Sequence, residues 1–226
     1  MSGISHYTLD GIKIKEMEEK NTKIGSFDLE VATKEANEFI DSNPWLKEMQ
    51  SDRWIQTYTG KKFYPLYPKE EDISIMDIAH ALSMLCRFTG HCEKFISVAQ
   101  HSVSVSYLCD RQDRLYGLLH DASEAYISDI SSVVKKFPQL SGYKEIEKNI
   151  QETICRKFGL PTVEPESVKI ADQLMLGVEA KSLLKNIHPD WSFPIDPPPF
   201  QIVSLTPAEA KSLFLNRFNE LNNEKS

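Results

Sequence analysis

The chain has 226 residues and a formal net charge of −7 at pH 7, and this length fits one domain, or one domain with an appendage. Its hydrophobic content of 41% and charged content of 26% are ordinary for a globular protein and exclude disorder for most of the chain. The acidic balance argues against a protein that coats nucleic acid, because such proteins need a basic surface.

The sequence carries no pattern typical of secretion or membrane insertion. The N-terminal residues lack the apolar stretch of a secretory signal, and we find no charge-free apolar run long enough to cross a bilayer. The four cysteines form no Cys-x-x-Cys pair, so we interpret them as reduced, small hydrophobic side chains. We therefore expect a cytoplasmic protein with no membrane partner.

Residues 1–70 differ in pattern from the rest, and we treat them as an N-terminal extension. One helical face there is formed by Leu29, Ala32, Ala36 and Ile40. Asn43-Pro44 would end that helix. Farther on, Trp54–Tyr58 and the segment that starts at Phe63 predict two short extended segments. A hairpin across residues 59–62 is the only β-structure that we expect.

Residues 71–185 have a helical pattern throughout, which predicts a helical core. The face of the first helix is formed by Ile78, Ala81, Leu82 and Leu85. We expect that helix to end near Gly90, and further helices over residues 96–108, 114–126, 146–158 and 168–184. Gly159 stands where a helix C-terminus favours glycine.

Residues 186–226 are predicted to form a connection followed by a last helix. The connection, residues 189–199, is rich in proline and holds Trp191 and Phe193, so we expect it to lie against the protein surface. Thr206–Glu209 has the pattern of a capping box and starts a helix that runs to about Leu221. The whole chain is thus predicted to be all-α, with the hairpin as its one exception.

Polar residues stand among apolar neighbours on three of the predicted helices. They are the adjacent pair His120-Asp121, and the separate residues His101 and Asp172. Each alone is more often a paired or capped polar residue than a ligand, but a buried His-Asp pair is costly unless both groups are satisfied. Their combination favours a mixed nitrogen and oxygen site for a divalent metal such as Mn, Fe, Co, Ni or Zn.

The order of these four residues resembles the H…HD…D signature of the HD-domain metal-dependent phosphohydrolases. The segments 98–102 and 120–130, with Val134-Lys135, more closely resemble the branch that holds the bacterial 5′-deoxynucleotidases and the phage dATP triphosphohydrolases. The resemblance covers roughly residues 77–183. It implies an HD-domain helical bundle, and it leaves residues 1–70 and 186–226 outside the core motifs, where they could form a lid, a dimer contact or further substrate contacts.

The resemblance also implies a role for each matching residue. One divalent ion (Mn, Co, Zn, Fe, Ni or Mg) would be held by His101, His120, Asp121 and Asp172. Glu124 would be the catalytic carboxylate beside the metal-activated water, and Asp129 would help to hold the water or the substrate.

The same resemblance implies substrate contacts. Arg87 suits bidentate binding of a phosphate, and Lys135 would act on phosphates as a point charge. Phe88 would pack against the face of the sugar, where the 2′-hydroxyl of a ribonucleotide would collide with its ring. His91, in the turn after them, either points at the same phosphate or makes a structural hydrogen bond in a loop.

The reaction that this resemblance implies is hydrolysis of phosphate from deoxynucleotides, with water attacking the α-phosphorus. A 5′-deoxynucleotidase and a dNTP triphosphohydrolase both stay open. Lys94, Lys135 and Lys136 would neutralise the two additional phosphates of a triphosphate, but they do not decide between the two reactions. A non-catalytic nucleotide-binding HD module and an alarmone hydrolase are alternatives, although Ala125 stands where the alarmone hydrolases have a second acidic residue. We expect a small nucleotide as partner, no long nucleic acid, and a homo-oligomer.

Overall fold

The computed structural model describes residues 53–193, 195, 197 and 201–224, together with Glu38 and Ser42, which are helical. The described part is mainly helical, which confirms the all-α prediction. Apart from Glu38 and Ser42, the predicted N-terminal helix and its end at Asn43-Pro44 lie outside the described residues. The chain divides into two compact units, Met1–Asp52 and Arg53–Ser226, and the elements below all belong to the second.

Helices and two short strands make up this unit. The α-helices are α1 (Ile75–Met84), α2 (Val98–Leu108), α3 (Arg114–Leu119), α4 (Glu124–Ile127), α5 (Ser132–Lys135), α6 (Ser141–Lys157), α7 (Glu166–Leu183) and α8 (Pro207–Asn223). Single 3₁₀ turns lie at Glu70–Asp72, Phe88–Gly90, Arg111–Asp113 and Pro138–Leu140. The antiparallel strands are β1 (Ile55–Gln56) and β2 (Lys62–Phe63), with Ile55 opposite Phe63.

The predicted hairpin is present, but its strands are only two residues long. Its turn is closed by a hydrogen bond from the Thr57 amide to the Lys61 carbonyl at 2.9 Å, and Gly60 adopts a φ of +83° that favours glycine. Phe63 is fully buried and stacks on Tyr126 with ring centroids 3.9 Å apart. The hairpin therefore packs on the helical core.

Helix α1 ends at Met84, and the prediction that it continues to near Gly90 is wrong. The backbone turns extended at Leu85, whose carbonyl accepts a hydrogen bond from the Val98 amide at 3.1 Å, while the Arg87 amide donates to Ile96 at 3.0 Å. Pairing with the segment before α2 thus replaces the last predicted turn of the helix.

The core lies between α1, α2, α3 and α8. The capping box at Thr206 and Glu209 is present as predicted, and α8 packs along α1 and α2 with Phe214 fully buried. Within the proline-rich connection, Pro197 lies against the protein as predicted, because it packs on Gly177 of α7, where an added Cβ would come within 2.9 Å of the proline ring. The C-terminal region is therefore part of the same packed unit.

Across the residues described, none of the helices has both the length and the apolar character that crossing a bilayer requires.

Candidate metal centre

Four side chains from three parts of the fold approach one another; we call them the His–Asp cluster: His101 on α2, His120 and Asp121 between α3 and α4, and Asp172 on α7. The Nε2 of His101 lies 3.1 Å from Oδ1 of Asp172 and 3.9 Å from Oδ2 of Asp121. The Nε2 of His120 lies 3.2 Å from the same Asp121 oxygen and 3.9 Å from the Asp172 oxygen. His101, His120 and Asp121 could hold a metal ion, since one ligand atom from each lies within 4.8 Å of the others.

The two imidazoles are oriented as metal ligands usually are. The Nδ1 of His101 donates to Oε1 of Glu179 at 2.8 Å, and the Nδ1 of His120 donates to the Gly117 carbonyl at 2.8 Å. With Nδ1 protonated, the lone pair of a neutral imidazole lies on Nε2. Both Nε2 atoms are buried and have no hydrogen-bond partner among the described residues. A cation would satisfy these two nitrogens and the nearby carboxylates, so the donor set fits a divalent metal.

The cluster is held by a break in what the sequence predicted as one helix over residues 114–126. Helix α3 ends at Leu119 and α4 begins at Glu124. Gln151 of α6 pins the intervening turn from both sides: its Oε1 accepts from the Ser123 amide at 3.1 Å and its Nε2 donates to the Leu119 carbonyl at 2.8 Å. This turn brings His120 and Asp121 together on the side of His101.

Glu179 is a buried carboxylate that our sequence reasoning missed. It has no exposed surface, and besides His101 it binds Arg87, whose Nε donates to Oε2 at 2.7 Å. Burial opposes its ionisation, but Arg87 and then His101 hold the pKa of Glu179 below its usual value. Glu179 follows Asp172 by two helical turns on α7, so the same signal, a charge among apolar neighbours, could have found it.

Replacing Glu179 by glutamine should weaken both metal binding and the fold. The amide keeps the size of the side chain but removes the charge that orients His101 and pairs with Arg87. We expect a 10- to 100-fold loss of metal affinity and a free energy of unfolding lower by about 1–3 kcal/mol, measured by metal titration and urea unfolding.

Glu166→Gln is the matched control for this prediction, because its side chain is on the same helix but 76% exposed and pairs with Lys169 only across one turn. Equal effects of the two substitutions would contradict the role of Glu179.

Glu124 begins α4 and is buried. Its Oε1 lies 3.5 Å from Nζ of Lys135, which also donates to Oε1 of Glu147 at 2.5 Å, while its Oε2 is buried without a hydrogen-bond partner in the described part of the chain. Burial first, and then the charges of Asp121 and Asp129, raise the pKa of Glu124 to about 9. In the metal-free protein this carboxyl therefore carries a proton at neutral pH.

Asp129 follows a strained residue. Ser128 has φ 74° and ψ 158°, a region that is almost exclusive to glycine. It is held there by a hydrogen bond from its own amide to the Glu124 carbonyl at 2.8 Å and by one from the Tyr143 hydroxyl to its carbonyl at 3.0 Å. Burial raises the pKa of Asp129 although Arg87 lowers it, and Asp121 raises it further. The strain thus sits next to a predicted catalytic residue.

Replacing Ser128 by glycine should stabilise the protein. Relief of the strain is worth about 1–3 kcal/mol, and the greater freedom of glycine in the unfolded chain offsets about 0.5–1 kcal/mol of it, so we expect a net gain of about 1 kcal/mol by urea unfolding. Ser131→Gly is the control, because Ser131 has φ −46° and ψ 131°, a conformation without this strain. The Ser131→Gly protein should therefore be less stable than wild type. A loss at Ser128 as well would contradict the strain.

The turn after α1 brings Arg87 and Phe88 to the cluster. Nη1 of Arg87 lies 3.8 Å from Oδ2 of Asp121, and its guanidinium carbon lies 5.7 Å from the centre of the Phe88 ring. Phe88 and Thr89 adopt φ values of 55° and 54°, which are unfavourable for residues other than glycine. His91 ends this turn with an exposed side chain, and we find no contact between its imidazole and the cluster within the described residues.

The same turn is flanked by two thiols. All four cysteines are free, but Cys86 and Cys92 bring their sulfurs within 3.6 Å of each other. The sequence did not reveal this pair, because the two cysteines are six residues apart and do not form a Cys-x-x-Cys motif. They meet because the bridge between Cys86 and Ser97 closes the loop that carries Cys92.

Two relatives place the chain among known proteins. It is 40% identical over 171 residues to the "Uncharacterized protein YfdR" of Escherichia coli K12, an alignment that covers 74% of this chain and 95% of YfdR. It is 33% identical over 143 residues to the "Uncharacterized protein RCAP_rcc00048" of Rhodobacter capsulatus, covering 58% and 72% of the two chains. No family model matches the chain. The identity to YfdR along almost its full length shows that the chain belongs to the YfdR family.

Proposed function

We propose that this protein is a metal-dependent phosphohydrolase of the HD-domain type that releases phosphate from deoxynucleotides. The observation that carries the proposal is the approach of four side chains in the order H…HD…D, with both imidazole Nε2 atoms buried and lacking hydrogen bonds in the described residues. All four would hold one divalent ion, with Asp172 as the ligand beyond the group of His101, His120 and Asp121.

The side chains around the cluster support this chemistry. The ion, once bound, would lower the pKa of a water and neutralise phosphoryl oxygens. Arg87 keeps its Nε on Glu179, so its outer nitrogens are the ones to contact a phosphate. The Glu124 carboxyl, with Oε2 lacking a hydrogen bond in the described residues, suits holding the proton that passes between water and the leaving oxygen. Asp129 would hold the water or the sugar.

The charges near the cluster favour a monophosphate over a triphosphate. Lys135, which we predicted as a phosphate contact, lies between Glu124 and Glu147, and Arg87 is paired with Glu179. Two further phosphates would need cations to neutralise them, and these two cations already face carboxylates. We therefore infer a 5′-deoxynucleotidase as the first choice and a triphosphohydrolase as the second.

A screen of phosphate release tests the proposal. Deoxy- and ribonucleoside mono- and triphosphates and guanosine tetraphosphate would each be incubated with the protein and Mn, Co, Mg or Zn. We expect inorganic phosphate from deoxynucleoside monophosphates, and no release after removal of metal by a chelator.

Each other outcome of this screen selects an alternative. Tripolyphosphate release indicates the triphosphohydrolase, and pyrophosphate release from guanosine tetraphosphate indicates the alarmone hydrolase. No release from any nucleotide, together with nucleotide binding by calorimetry, indicates a non-catalytic module. Release that is unchanged by the chelator contradicts the proposal.

A further inference from the structure

Three aromatic side chains form a row that starts at the candidate site. The ring of Phe88, next to the Arg87 guanidinium, lies 6.5 Å from the ring of Trp191 in an edge-on arrangement. Trp191 in turn lies 5.2 Å from Phe193. Trp191 is 38% exposed, so this row, which we call the aromatic wall, presents ring surface to solvent beside the cluster.

Backbone hydrogen bonds hold Phe88 and Trp191 in place, so this part of the aromatic wall is present before any ligand arrives. The turn that carries Phe88 is closed by a hydrogen bond from the His91 amide to the Phe88 carbonyl at 3.0 Å. Trp191 is held by a hydrogen bond from its amide to the His188 carbonyl at 2.9 Å, and the chain beyond it is anchored where Pro197 packs on Gly177. That glycine belongs to α7, the helix that also carries Asp172. A preformed aromatic surface loses little entropy when a flat ligand stacks on it.

We propose that Trp191 is the stacking platform for the base of a nucleoside phosphate, a site distinct from the phosphate and sugar contacts of Arg87 and Phe88. The inference rests on the proposed function and deepens it. Phe88 links the two other groups, because the centre of its ring lies 5.7 Å from the Arg87 guanidinium carbon and 6.5 Å from the ring of Trp191. A ligand with its phosphate at Arg87 and its sugar at Phe88 therefore places its base at Trp191. Because every base has a π-face, stacking accepts purines and pyrimidines alike.

Kinetics of Trp191→Ala on two substrates tests this inference. With deoxyadenosine monophosphate we expect a KM about tenfold higher and a kcat within about twofold of wild type, since the lost stacking is worth roughly 1.4 kcal/mol. With deoxyribose 5-phosphate, which has no base, the KM should not change. Trp191→Phe should restore most of the affinity for the nucleotide, because it keeps a ring face.

Trp54→Ala is the matched control. Trp54 is 39% exposed, nearly the same as Trp191, but it lies in the hairpin and contacts Lys62. The platform would be overturned if Trp191→Ala raised the KM for deoxyribose 5-phosphate as much as that for deoxyadenosine monophosphate. It would also be overturned if Trp54→Ala raised the nucleotide KM as much as Trp191→Ala does, and the wall would then be surface packing only.

A binding measurement separates this inference from the hydrolase proposal. Titration of the wild-type protein with deoxyadenosine monophosphate and Mn should quench tryptophan fluorescence, and Trp191→Ala should lose that change and bind about tenfold more weakly by calorimetry. Binding that depends on Trp191 without any phosphate release would keep the platform and reject the hydrolase. Phosphate release by a Trp191→Ala protein that binds the nucleotide as tightly as wild type would keep the hydrolase and reject the platform. No binding of the nucleotide to the wild-type protein would also overturn the platform.

Discussion

Replacing Asp121 by alanine should abolish metal retention and phosphate release together. Oδ2 of Asp121 is the oxygen shared by the cluster, lying 3.2 Å from His120 Nε2, 3.9 Å from His101 Nε2 and 3.8 Å from Nη1 of Arg87. Without it, two imidazoles and one carboxylate remain, so the negative charge of the cluster that balances the ion falls from two carboxylates to one. We expect metal content by mass spectrometry to fall from about one ion per chain to background, and phosphate release to fall to that of the chelator-treated protein.

The control for this substitution is Asp190→Ala. The side chain of Asp190 is 91% exposed and pairs only loosely with His188, at 3.6 Å, so metal content and turnover should both stay at the wild-type level. An Asp121→Ala protein that keeps its metal and still turns over nucleotides would show that the cluster is not the catalytic site.

The residues of the His–Asp cluster could be predicted because each breaks a local pattern. His101 and Asp172 stand among apolar residues in helical periodicity. His101 is fully buried, and the cost of burying such a group unpaired is large enough to require a partner. Glu179 breaks the pattern of α7 in the same way, yet it pairs with Arg87, and nothing in the sequence shows which cation lies near it. Sequence patterns therefore reveal that a buried charge needs a partner, while the fold decides which partner it receives.

The helix ends could not be predicted, because distant residues determine them. The break before α4 depends on Gln151, which supplies both hydrogen bonds to the turn from a different helix. The early end of α1 at Met84 likewise depends on Val98. Local propensity is worth a few tenths of a kcal/mol per residue, so one or two tertiary hydrogen bonds suffice to override it.

Lys135 illustrates the same limit within the candidate site. A lysine near a phosphate motif is predicted to be a free cation, but α5 and α6 place Glu147 against it at 2.5 Å. Which charge remains for the substrate is a property of the packed structure, and here it favours a monophosphate where the sequence left both substrates open.

Replacing Glu124 by glutamine should stop turnover while leaving metal binding intact. Glutamine keeps the shape and can still accept from Lys135 through its carbonyl oxygen, but it cannot exchange a proton, so we expect kcat to fall by about 10²- to 10⁴-fold. Metal content should stay within the range of wild type, since Glu124 is not one of the four converging residues. Glu152→Gln is the control: Glu152 is a half-buried residue of α6 that pairs with Lys148, and its substitution should change neither kcat nor metal content.

Stability distinguishes the proposed catalytic role of Glu124 from a structural one. Because the folded pKa of about 9 lies above the ordinary value near 4.3, the folded metal-free protein binds a proton at pH 7 that the unfolded chain releases, and this costs stability. Glutamine removes that cost, so the metal-free Glu124→Gln protein should be more stable than wild type at pH 7. The difference should shrink as the pH falls towards 4.3, where both states of the wild type are protonated. Urea unfolding at several pH values checks this, and a Glu124→Gln protein that is inactive because it is less stable would contradict the assignment.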